Sequence, residues 1–139
     1  MYNQLRLLNT VELPVELKSI IKAGVCEKNG CIVLATLSKA CQHAKLADFV
    51  DYTGYECFIN HLHIDDYVNE NIFLTALCFM SEVSDLVKYK FPDRLFRFII
   101  ARENDSSCNV RFHRLRDGEV WLVEDINQYH EEGILVMDG

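Results

Sequence analysis

Between residues 70 and 88, Ile72, Ala76, Phe79, Met80, Val83 and Val87 recur at spacings of three and four, while Ser81, Glu82, Asp85 and Lys88 fall elsewhere. That period puts one apolar stripe along a cylinder of 3.6 residues per turn and predicts the chain's longest helix. Beyond Pro92 the period drops to two. Phe96, Phe98 and Ile100 alternate with Arg97 and Ile99, and Val110 and Phe112 alternate with Arg111 and His113. Alternating side chains face opposite sides of a strand, so the runs predict strands over 95–102 and 108–115. Glu103-Asn104-Asp105-Ser106-Ser107 between them has turn composition, and the pair reads as an antiparallel hairpin.

Upstream the signals are shorter. Pro14 stands at a plausible first helical position, Leu17, Ile20 and Ile21 form an apolar stripe and Gly24 follows, which predicts a helix over 14–22. The apolar run Cys31 to Leu37 fits either a buried strand or the start of a helix. Its continuation from Ser38 to Leu46 has no breaker and is rich in Ala and Lys, which favours a helix over about 30–45. Thr53-Gly54-Tyr55-Glu56 has capping-box spacing and predicts a helix running through His61. Downstream, Asp117-Gly118 is a turn signal and Glu119 to Leu122 a short extended piece. Asp125 opens a brief helix, Gly133 ends it and Ile134 to Met137 add a strand. The expected fold is α+β, with a helical N-terminal two-thirds packed on a small C-terminal antiparallel β-sheet. No linker or repeat divides the 139 residues, so a single domain over 1–139 is expected.

The composition is that of a folding chain, at 50% hydrophobic and 11% aromatic with two prolines. The N-terminus shows no basic leader followed by a long apolar stretch, and no apolar run approaches the roughly 20 residues that span hydrocarbon. A cytoplasmic protein with no membrane contact is expected. In that reducing compartment the six cysteines read as small buried hydrophobes, and the Cys26–Cys31 pair has no second close pair to complete a zinc knuckle.

Charge changes the picture more. Residues 1–116 hold fourteen acids and fourteen bases, whereas Asp117 to Gly139 hold seven acids and no Lys or Arg, so the net charge of -7 resides in the last stretch. Eight bases crowd into residues 88–116 just before it. Some tail carboxylates are therefore expected to pair with the basic hairpin, and the rest to form a face for a cation. The basic residues alternate with Phe96, Phe98 and Phe112, which puts those rings on a core face and argues against a platform for stacked bases, as does the total charge.

Candidate chemistry is sparse. His61-Leu62-His63 would aim two imidazoles one way on a strand, but the predicted helix separates them. No phosphate-binding loop, dinucleotide fingerprint, nucleophile elbow or zinc-protease helix occurs. No catalytic residue, metal or cofactor is expected.

Phe112-His113-Arg114, Asp117-Gly118-Glu119, Trp121-Leu122, Asp125, Tyr129, Glu131-Glu132 and Ile134-Leu135-Val136 resemble the small acidic immunity proteins of bacterial contact-dependent inhibition and related polymorphic toxin systems. The resemblance implies a non-enzymatic protein that binds a cognate toxin domain, often a nuclease, and blocks its active site or access to substrate. The expected partner-binding residues are Glu119, Glu124, Asp125, Tyr129, Glu131 and Glu132. The alternatives are a small regulatory or adaptor domain for another basic protein, or a metal-dependent enzyme centred on His61 and His63.

Overall fold

Pro14 stands at the N-cap of the first described helix in the computed structural model, which describes residues 12–104, 106–118 and 133–139. Helix α1, Val15–Ala23, buries Leu17 and Ile20 and stops at Gly24, whose φ of 83° suits a residue without Cβ. This is the predicted helix moved by one residue.

The next segment corrects the sequence reading. Strands β1 (Val25–Lys28) and β2 (Cys31–Leu34) form a hairpin, and helix α2 begins only at Ala35 and ends at Ala40. The physical reason is the Asn29-Gly30 turn. Both residues take positive φ, 54° and 83°, the two-residue geometry that matches strand twist. Every residue of β2 is buried, because Ile32 and Leu34 face the main core while Cys31 and Val33 face a second cluster with Tyr55 and Ile59. A strand buried on both faces shows no alternation, which is why the run resembled a helix.

Helix α3, Tyr52–Ile59, also departs from expectation. Its N-cap is Asp51, whose Oδ1 accepts from Gly54 N–H at 2.7 Å, and Thr53 lies buried inside the helix. The helix ends before His61, and Leu62–His63 form strand β3. Helix α4, Ile72–Lys90, matches the predicted stripe, with Ile72, Ala76, Phe79, Met80, Val83 and Val87 all buried.

The predicted hairpin is present as β4 (Phe96–Asn104) and β5 (Ser107–Arg114), paired from Phe96↔Arg114 to Asn104↔Ser107. Strand β6, Gly133–Asp138, adds to β4 and contains the predicted Ile134 to Met137 strand. The sheet order is β3-β5-β4-β6. The α+β class therefore holds, with strands contributed by the first half of the chain as well as the last. One face of the sheet turns Phe96, Phe98, Ile100, Val110 and Phe112 onto α1 and α4 in the main core, and the Phe98 and Phe112 rings stack at 5.8 Å. The expected extended piece at 119–122 and helix from Asp125 lie outside the described residues. Among the described residues, no helix is long and apolar enough to cross a membrane.

Candidate functional site

Helix α3 carries two stripes of side chains, each following helical spacing. The inner stripe is Thr53, Glu56 and, just past the helix, Asn60, all buried. The free side of β2 and the end of β5 leave backbone groups that need partners, and this stripe supplies them. Glu56 Oε2 accepts from Ile32 N–H, and its Oε1 accepts from Arg114 N–H at 2.9 Å and from Arg116 Nη1 at 2.6 Å. Asn60 Oδ1 accepts from Leu34 N–H at 2.9 Å, while its Nδ2 donates to Ile32 O at 2.9 Å and Phe112 O at 3.2 Å. Arg116 also donates to Gly30 O at 3.3 Å and lies 5.7 Å from the centre of the Tyr52 ring. The carboxylate is saturated by fixed donors, so this cluster is a joint between the hairpin and the sheet. Sequence reasoning missed it, although a Glu and an Asn at i and i+4 among Tyr55, Cys57 and Ile59 were its signal.

The outer stripe, Gly54, Cys57, Phe58 and His61, lines a cleft of about 650 Å³ closed on other sides by residues 48–51 and by Arg111 of β5. Phe49 packs edge-on against Tyr55 at 5.5 Å and, with tilted rings, against Phe58 at 5.3 Å. The His61 and His63 rings lie 4.7 Å apart, so the extended backbone brings together the pair that the predicted helix separated. Burial, then the charge of Arg111 and the neighbouring His63, pushes His61 down to about 4, and burial pushes the Cys57 thiol up to about 12. At neutral pH both groups are uncharged, so the cleft holds neither a thiolate nor an imidazolium. Among the described residues, no group of three or more His, Cys, Asp or Glu side chains is placed to hold a metal ion. Asp65, near the histidines in sequence, accepts from Cys108 N–H at 3.0 Å and ties its turn to β5. All six cysteines are free thiols, with four buried.

The expected partner-binding residues Glu119, Glu124, Asp125, Tyr129, Glu131 and Glu132 lie outside the described residues. The basic block that precedes them is described, and its ion pairs are specific. Arg94 takes Glu27 at 2.7 Å, Arg116 takes Glu56, and Arg97 takes Asp138 through two hydrogen bonds of 2.8 and 3.0 Å. Arg102 lies 5.2 Å from the Phe73 ring centre, and Lys90 donates to Val25 O. The described ion pairs of this block thus use one acid from the C-terminal stretch, Asp138.

These elements define an α+β protein in which a β-hairpin and an antiparallel sheet are joined by one short helix with an open cleft on its far side. The chain belongs to the Uncharacterized protein PM0498 family, which it matches over residues 1–139. It is 39% identical over 83 residues to Uncharacterized protein PM0498 of Pasteurella multocida (strain Pm70), covering 57% of this chain and 52% of that protein. The chain thus spans about half the length of that relative. No solved structure matches it.

Proposed function

We propose that this is a cytoplasmic immunity protein, without catalytic activity of its own, that binds and neutralises a basic toxin domain through an acidic surface. Glu119, Glu124, Asp125, Glu131 and Glu132 supply the charge and Tyr129 an amphipathic anchor. The observation that carries the reading is charge segregation: Asp117 to Gly139 hold seven acids and no Lys or Arg. A nuclease toxin needs a cationic surface to hold phosphate, and carboxylates aimed at that surface steer its capture and compete with the nucleic acid. The helical first part of the chain and its sheet act as one scaffold for that surface.

A toxin gene directly beside this one is expected, and its absence counts against the reading; co-expression with the basic domain of such a toxin tests it. Protection of the host is expected, with an association rate that falls at least about tenfold as salt rises from low to high. Changing Glu124, Asp125, Glu131 and Glu132 together to Lys is expected to abolish protection with the thermal melt retained. Full protection by that folded variant sinks the mechanism.

A further inference from the structure

Exposed apolar side chains are normal when scattered, and meaningful when they gather around a concavity. Among the described residues the exposed large hydrophobics are Val15, Val50, Tyr52, Phe58, Tyr89 and Leu95. Three of these six fall within residues 50–58, at 103% exposure for Val50, 49% for Phe58 and 45% for Tyr52. Val50 and Phe58 line the same cleft. The backing of Phe58 is fixed. Phe49 wedges Phe58 against the buried Tyr55, and the helix carrying both rings is held on its inner side by Glu56 and Asn60. Rigid aromatic and aliphatic groups around an open, partly apolar hollow are the usual centre of a protein–protein contact, because little side-chain freedom remains to be lost on binding.

Charge chooses the partner. Asp48 is exposed and Asp51 half-buried on the loop side of the cleft, and a backbone N–H holds one oxygen of each, Lys45 N for Asp48 and Gly54 N for Asp51. Both carboxylates are thereby fixed in orientation. Arg111, which hydrogen-bonds Asn109 at 3.3 Å, supplies the opposite sign at the β5 wall, and His61 there is neutral at physiological pH. A cation therefore fits on the Asp48–Asp51 side. His61 Nε2 is buried in this wall with no hydrogen-bond partner among the described residues, a polar atom that an incoming group or water would satisfy.

We propose that this cleft is a docking site for a segment of a partner protein in which one aromatic or branched aliphatic side chain stands beside a Lys or Arg. The apolar side chain lies between Val50 and Phe58, and the cation meets Asp48 and Asp51. The proposal rests on the reading of the protein as a binder of a basic partner and adds a second contact region to the acidic C-terminal stretch.

Selection of a displayed random heptapeptide library on the full chain, with the Val50→Asp chain as counter-selection, tests it. Enriched peptides are expected to share an apolar residue next to Lys or Arg. A synthetic consensus peptide is expected to shift the amide resonances of Gly54, Phe58 and His61, and its Kd to rise at least tenfold for Val50→Asp and for Asp48→Lys. Both substitutions fall on exposed side chains, so retained amide spectra establish that the variants fold. No enrichment, an acidic consensus, or resonance shifts elsewhere overturns the docking site. So does equal binding of a peptide with its Lys or Arg replaced by Ala, which marks a pocket for small apolar molecules. If the library gives nothing while toxin protection is intact, the docking site fails alone. Consensus binding without protection against the toxin leaves the docking site standing and overturns the toxin reading.

Discussion

The two sides of helix α3 differ in what they ask of the rest of the molecule. On the inner side, Glu56 and Asn60 meet backbone groups from β2 and β5, with partners up to 58 residues away in the chain. On the outer side, Phe58 is half-exposed, and the buried His61 Nε2 has no partner among the described residues. One helix of eight residues therefore holds two substructures together and presents a surface. The difference teaches that what holds the helix is separate from what it presents, because the contacts that fix the helix are not those that face the cleft.

The largest effect should come from the inner side. Replacing Glu56 by Ala removes the carboxylate that accepts from Arg116, Ile32 N–H and Arg114 N–H, and removing one partner of a buried pair costs about 3–5 kcal/mol. Urea unfolding of Glu56→Ala should show a loss of that order. A loss below about 1 kcal/mol would mean that the joint is dispensable. Asn60→Leu comes next, since it deprives Leu34 N–H and Ile32 O of their partners while keeping volume, at about 1–3 kcal/mol for each unsatisfied group. Hydrogen exchange should be fastest in β2 of that variant, and unchanged protection of the Leu34 amide would break the assignment.

This joint also marks where the sequence stopped being readable. Helix α4 and the β4–β5 hairpin were legible because each buries one face, so their periods of 3.6 and 2 survive in the residue order. Strand β2 buries both faces and has its free side satisfied by side chains 24 and 26 residues away, so nothing within the run itself distinguished strand from helix. Asn29-Gly30 was the local clue, since it fixes a tight hairpin before the apolar run begins. The expected helix runs on through His61 because Thr53 and Glu56 mimic a capping box, whereas Asp51 caps the helix and Glu56 points inward. The partner-binding set came from charge segregation and the immunity-protein resemblance, and its residues lie outside the described ones.

A smaller effect is expected from pH, through His61 on the cleft side. His61 titrates at about 6.5 when unfolded and at about 4 when folded, so the unfolded chain binds more protons between those values. Stability is then fully present above about pH 6.5 and lost progressively as pH falls toward 4. His113, also lowered by burial, acts in the same direction. The difference between the wild-type chain and His61→Gln isolates the first group. The variant's thermal midpoint should fall less steeply between pH 6.5 and 4, and parallel curves would show that His61 is not desolvated in the fold.

The smallest effect is the most discriminating one. Val50 is fully exposed, so Val50→Asp removes no buried area and should change stability by no more than about 0.5 kcal/mol. Glu56→Ala lies on the inner side of helix α3 and Val50→Asp on the segment before it that lines the cleft, and if joint and cleft are independent their effects on unfolding should add. A double-mutant cycle measures this directly. Additivity within about 0.5 kcal/mol means that the joint holds the helix without drawing on the cleft, and that losses of binding in Val50→Asp report the surface alone. Coupling above about 1 kcal/mol would mean that the 48–51 segment forms part of the joint, and the separation of holding from presenting would fail at that point.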